Sequence, residues 1–181
     1  NEVKTILKIY NKAKKFGKVI VIDDFSIDGT RDLLKRKNIF FLKNKKNYGY
    51  EKTLINGFKF VLKKFKNVKY ILTIDADNEL PIKYIPKILK KINKKDTNMV
   101  IAKRNKFNRV SERLISLLFL FFFRIKDPLS GMKIYKRSFL KKYIKSQSKN
   151  IFLVDLIIFC KNDGKKISEI NINVNKRKDK S

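Results

Sequence analysis

Asp75, Asp77 and Glu79 stand at alternate positions directly beyond the apolar run Tyr70-Ile71-Leu72-Thr73-Ile74, and Pro81 closes the stretch. Four to eight apolar residues stopped by polar ones read as a buried strand and its exit loop. In an extended chain, residues i, i+2 and i+4 point the same way, so the three carboxylates converge if the extended form persists past the strand end. Three like charges need a counter-charge, and a hard divalent cation with oxygen ligands supplies one. Open parallel sheets bind their ligands at this end of the strands. The competing reading is an acidic turn left to solvent.

Other chemistries drop out on residue type. The chain has no His and a single Cys160, which excludes a Ser-His-Asp triad, a histidine or cysteine zinc site and an internal disulfide. Carboxylate, hydroxyl, Lys/Arg and oxygen-bound metal chemistry remain. The 46 basic and 16 acidic residues give a formal charge of +30, which points to polyanions or an anionic membrane surface. The lysines are scattered rather than gathered in a tail, and their richness alongside Asn, Ile and Phe looks like a compositional bias. No zinc finger, aromatic RNA-binding signature or helix-turn-helix is evident, so no specific nucleic-acid partner is expected.

The positioning elements follow from periodicity. With 43% hydrophobic residues in 181, the chain suits one domain with a real core. Helical spacing covers Val3 to Phe16, Tyr50 to Phe65 and, from Pro81, Ile82 to Ile92. A further helix starts at Asp28 or Thr30 as its cap. Strands are expected at Lys18 to Ile22, Ile39 to Leu42, Tyr70 to Ile74 and Met99 to Ala102. This alternation predicts an α/β sheet with crossover helices. Past Arg104 the spacing predicts a helix over Asn108 to Arg124, a turn at Asp127 to Gly131, a strand at Met132 to Tyr135, helices from Ser138 and Ile151, and an edge strand over Lys166 to Val174. The longest apolar run, Leu114 to Phe123, is too short to span a bilayer. It suits either a core helix or one dipping into an anionic interface beside Arg109 and Arg113. No signal peptide is visible.

The order of motifs resembles the family 2 glycosyltransferases over nearly the whole chain. Val19-Ile20-Val21-Ile22-Asp23-Asp24-Phe25-Ser26-Ile27-Asp28-Gly29-Thr30 is similar to their "VVDDGSTDGT" segment. Asn47-Tyr48-Gly49, with Thr53 and Gly57, resembles the "NxGxxxAxxxG" helix start, and Asp75 to Pro81 resembles the "DADLQ-P" region. Ala102-Lys103-Arg104 stands where the family has "GSR". Asp127-Pro128-Leu129-Ser130-Gly131-Met132-Lys133-Ile134-Tyr135-Lys136-Arg137 is similar to "DxxSGFRxYRR", while Glu169 and the tail resemble the "E-P" and "RxxGxS" ending. The nearest subgroup is the polyprenyl-phosphate sugar transferases, dolichyl-phosphate mannosyltransferase-like. Phe25 and Asp179 replace family glycines, Glu79 replaces Gln, and the family's first strand is missing or reduced to Asn1-Glu2.

The resemblance implies a GT-A fold, a Rossmann-like, mostly parallel sheet flanked by helices, in a single catalytic domain over residues 1–181. It implies an inverting, metal-dependent transfer of sugar from a nucleotide-sugar donor to a polyprenyl phosphate, peripheral to the cytoplasmic face of a membrane. Donor-binding residues would be Asp23, Asp24, Asn47, Gly49, Asp75 and Asp77. Mg²⁺ or Mn²⁺ would sit on Asp75, Asp77 and Glu79. Asp77 and Asp127 are the catalytic candidates, Asp127 as base only if the acceptor is a hydroxyl. A lipid phosphate is already ionised and needs positioning and screening instead, for which Arg104, Arg109, Arg113, Ser116, Ser130 and Arg177 are the candidates. The alternatives are a family 2 enzyme acting on a saccharide hydroxyl and a non-catalytic basic domain binding a polyanion or a membrane.

Overall fold

The computed structural model describes residues 1–107, 109–146 and 154–175, which form two compact units. The first comprises Asn1–Lys66 with Ala76–Asn78, and the second Asn67–Asp75 with the residues from Glu79 onward.

In the first unit, β1 (Val21–Asp23) pairs in parallel with β2 (Phe41–Lys43), Asp23 opposite Lys43. Helices α1 (Ile6–Ala13), α2 (Thr30–Arg36) and α3 (Tyr50–Lys64) accompany them. Ile6, Leu34 and Ile39 form the buried centre, with Leu7, Tyr10, Val21, Leu33, Phe41 and Ala76 around it. Helix α3 lies close on β1: a Cβ at Gly57 would stand 2.0 Å from Ile22 Cδ1. At the start of α2 the boundary residue is Gly29, not Asp28 or Thr30. Asp28 still serves the helix from one position earlier, accepting from the Thr30 amide at 3.1 Å.

In the second unit the strand order is β3 (Tyr70–Thr73), β5 (Lys133–Lys136), β4 (Thr97–Arg104), β6 (Lys166–Ile172). Strands β4 and β6 are parallel, and β5 enters between β3 and β4 antiparallel to both. A short 3-10 turn (Ile82–Tyr84) leads into α4 (Ile85–Ile92), with Pro86 in its first turn, where a missing N–H costs nothing. Ile88 and Ile92 of α4 meet Val100, Ala102, Met132, Ile134, Ile170 and Ile172 in the main core. Helices α5 (Val110–Phe123), α6 (Arg137–Ser146) and α7 (Asp155–Asn162) complete the unit.

Strand β4 runs longer than its apolar centre. Lys103 and Arg104 join it through backbone pairing with Asn171 and Ile172, which side-chain patterning does not report. Among the described residues, no helix is long and apolar enough to cross a membrane.

Candidate functional site

The acidic stretch departs from the alternating geometry that its spacing predicts. Strand β3 ends at Thr73, the chain turns at Ala76 and Asp77, and Asn78 takes a left-handed backbone at φ 62°. Period-2 alternation holds only while the chain is extended, so Asp75, Asp77 and Glu79 do not line up as one face. Among the described residues, no three acidic or Cys side chains gather into a group fit to hold a metal ion. The expected set of three carboxylates is therefore not preassembled.

Glu79 is buried, and its charge acts on Arg104. Asp75 lies against Gly131, whose backbone leaves no room for a side chain there. Mg²⁺ and Mn²⁺ do not require three carboxylates. Such ions bind through one or two carboxylates and complete their shell with substrate phosphates and water.

The paired acids of the first motif have partners inside their own unit. Asp23 is 3% exposed; its carboxylate is ion-paired with the Arg31 guanidinium and accepts from the Ser26 amide. Arg31 also donates to the Asn44 carbonyl at 3.1 Å. Asp24 accepts from the Asn44 side chain, the Tyr48 amide and the Gly49 amide, each at 2.8 Å. Burial pushes the Asp24 carboxyl up, but these donors outweigh it and hold the pKa below the usual carboxylate value. Asn47 closes the turn by accepting from the Gly49 amide at 2.9 Å. Asp23 and Asp24, expected on the donor, thus tie the loop from Asn44 to Gly49 to the end of β1. The Asn44 side chain also donates to the Thr53 hydroxyl at 2.8 Å. Arg31 and Asn44 are contributors that residue type and spacing do not single out, while Thr53 belongs to the motif beginning at Asn47.

On the second unit the expected acceptor-side residues divide. Arg104 Nε donates to Asp127 Oδ2 at 2.9 Å and Arg104 Nη2 to Asp127 Oδ1 at 3.0 Å, while the Arg104 amide also donates to Oδ2. Asp127 is fully buried. Glu112 of α5 stands 3.3 Å from Arg104 Nη1. Burial pulls the Arg104 pKa down, but Asp127, Glu112 and Glu79 more than offset it and hold the guanidinium firmly charged. Asp127 is accordingly a counter-ion rather than a base with a free oxygen, and Arg104 is committed to carboxylates rather than offered to a phosphate.

Glu169 of β6 accepts from the Lys126 and Asp127 amides, both at 3.0 Å. The Ser130 hydroxyl donates to the Ala102 carbonyl at 2.7 Å, and the Ser116 hydroxyl donates to the Lys126 carbonyl. Both serines tie backbone in place through their hydroxyl protons. The signal that could have found Glu112 is scarcity: acids are few in so basic a chain, and buried charges are paired.

Arg109, at the start of α5, and Arg113 are exposed. Arg177 lies outside the described residues. Helix α5 buries only Ser116, while Leu114, Leu117, Leu118, Phe121 and Phe122 are exposed, Phe121 by 81%. Of the two readings of this apolar run, the core helix does not fit the described residues.

A family model described as "Glycosyl transferase family 2" matches residues 1–157. Two uncharacterized proteins of Methanocaldococcus jannaschii are similar in sequence. One is 32% identical over 163 residues, covering 78% of this chain and 70% of its own. The other is 26% identical over 189 residues, covering 95% and 76%. Among solved structures, glucosyl-3-phosphoglycerate synthase from Mycobacterium tuberculosis with phosphoglyceric acid superposes with a TM-score of 0.77 at 16% identity, covering 100% of this chain and 70% of that one. The same synthase with Mn²⁺, uridine diphosphate and phosphoglyceric acid gives 0.77, with 68% of that chain covered. This likeness shows the GT-A-like α/β fold.

Proposed function

The chain belongs to glycosyl transferase family 2, and on that premise we propose that it moves a sugar from a nucleotide-sugar donor to the phosphate of a polyprenyl lipid at a membrane surface. The observation that carries the acceptor is α5. A monomer seldom exposes a contiguous apolar patch without a use for it, and more than half of Leu114, Leu117, Leu118, Phe121 and Phe122 is open. Burying such side chains in the headgroup boundary is worth on the order of 1 kcal/mol or more each. Arg109 and Arg113 at the N-terminal end of the same helix, on a chain of charge +30, favour an anionic leaflet. This would be the cytoplasmic face, held peripherally.

The chemistry is a single displacement. A lipid-phosphate oxygen attacks the anomeric carbon as the bond to the nucleoside diphosphate breaks. The bonding pair leaves with the diphosphate, and the sugar inverts. The nucleophile arrives ionised, which suits a chain in which Arg104 occupies both oxygens of Asp127. Exposed Arg109 and Arg113 are the residues left to orient the lipid phosphate. Asp75 and Asp77 would hold Mg²⁺ or Mn²⁺, which supplies neutralisation of the diphosphate charge. The complexes of the similar synthase with Mn²⁺ and UDP-glucose support the donor side.

A second reading has one specific support. That synthase is held with phosphoglyceric acid, so a water-soluble phosphorylated acceptor fits the same fold. Incubation with labelled nucleotide sugars and vesicles carrying polyprenyl phosphate separates the two. The proposal requires an organic-extractable product of inverted anomeric configuration; label found only in a water-soluble product would reject the lipid acceptor.

A further inference from the structure

We infer that Gly131 is a positioning residue for Asp75: its missing side chain is the space that Asp75's carboxylate occupies. The inference rests on the reading of Asp75 as a donor-side ligand, and both residues belong to the second unit.

A Cβ built on Gly131 would stand 1.9 Å from Asp75 Oδ2, 2.4 Å from Cγ and 2.6 Å from Oδ1. The carboxylate thus rests on the Gly131 backbone. Glycines at turns usually answer a left-handed backbone, but Gly131 is not among the positive-φ residues. What excludes a side chain is space.

The floor under Asp75 is held from several directions. The Thr73 hydroxyl, two residues before Asp75, lies 3.1 Å from the Gly131 carbonyl. Ser130 is fixed to Ala102 and accepts from the Met132 amide at 3.3 Å. Asp127, at the head of the same loop, is fixed by Arg104 and Glu169. Rotating one short side chain costs less than breaking a buried, hydrogen-bonded ion pair. A methyl group at position 131 therefore displaces the Asp75 carboxylate and leaves the loop in place. The segment Asp127 to Gly131 acts as the template that aims Asp75.

The test is a double-mutant cycle of Gly131→Ala and Asp75→Ala in the full chain, with two readouts. The first is titration with Mn²⁺ and UDP or GDP. Gly131→Ala lowers the metal-dependent nucleotide affinity by roughly 10–100-fold, the range typical of residues that orient a metal ligand; it has no further effect once Asp75 is Ala. The second is urea unfolding without metal. Gly131→Ala lowers the midpoint when Asp75 is present and leaves it unchanged in the Asp75→Ala background. If Gly131→Ala does not fold, the double variant does, because the clash is gone.

Wild-type affinity in Gly131→Ala, an equal midpoint loss in both backgrounds, or a double variant that also fails to fold would overturn the inference. If instead Asp75→Ala leaves nucleotide binding unchanged, the ligand role of Asp75 is what fails. The unfolding half of the cycle then still decides whether Gly131 positions it.

Discussion

Arg104 and Asp127 form a two-pronged ion pair, 2.9 and 3.0 Å, inside the second unit, where Asp127 is fully buried and Arg104 is 9% exposed. Removing one partner of such a pair strands a charge, which typically costs about 3–5 kcal/mol. Asp127→Asn is therefore expected to lose about that much stability in urea unfolding. An Asp127→Asn variant as stable as the parent but without activity would return Asp127 to the role of base.

Phe25 sits where the family has glycine, with φ 65° and its ring 4.9 Å under the Arg31 guanidinium. A left-handed backbone costs a residue with a side chain about 1–2 kcal/mol, and an exposed cation–π contact returns about 0.5–1 kcal/mol. Phe25→Ala keeps the backbone cost and loses the contact, whereas Phe25→Gly loses both. Denaturation should rank Phe25→Gly above Phe25→Ala, with Phe25→Gly within about 1 kcal/mol of the parent. The reverse order would contradict this account of the turn.

Asp24 and Asp28 both titrate below 3.8, because hydrogen bonds to the ionised forms outweigh the upward push of burial. A carboxylate whose folded pKa is depressed contributes stability that is fully present above its unfolded pKa. That contribution is lost as pH falls through the folded value. Stability of the parent should thus decline below about pH 3.8, and Asp24→Asn with Asp28→Asn should flatten that acid limb. Urea midpoints from pH 5 to pH 2 measure it; an unchanged limb in the double variant would show that these carboxylates are not its source.

Phe121 and Phe122 are 81% and 68% exposed. Surface substitutions away from structural contacts usually change stability by less than about 0.5 kcal/mol. Phe121→Glu with Phe122→Glu should leave the urea midpoint unchanged and abolish co-sedimentation with vesicles rich in anionic lipid. Undiminished vesicle binding would remove α5 from the membrane-facing role.

Much of this was legible from residue spacing, for reasons that differ by element. Helix α3 begins at Tyr50 as expected because Gly49 stops the loop and the 3.6-residue repeat starts at once. Pro86 fell in a first turn because its neighbours Ile85, Ile88 and Ile92 set the helix phase. The alternating carboxylates misled because the rule needs an extended backbone, and the turn at Asn78 ends it. Arg104 looked like a phosphate ligand because one dimension does not reveal that Asp127, 23 residues on, returns to meet it. Periodicity left α5 open between core and interface; the described residues leave its apolar side chains exposed.

The most direct test of the central claim is thermal stabilisation by nucleotide sugars with and without Mn²⁺, in the parent and in Asp75→Ala and Asp77→Ala. The account predicts that at least one nucleotide sugar raises the unfolding temperature of the parent only when Mn²⁺ is present, and that either substitution abolishes the shift. Stabilisation that ignores the metal, or survives both substitutions, would contradict it.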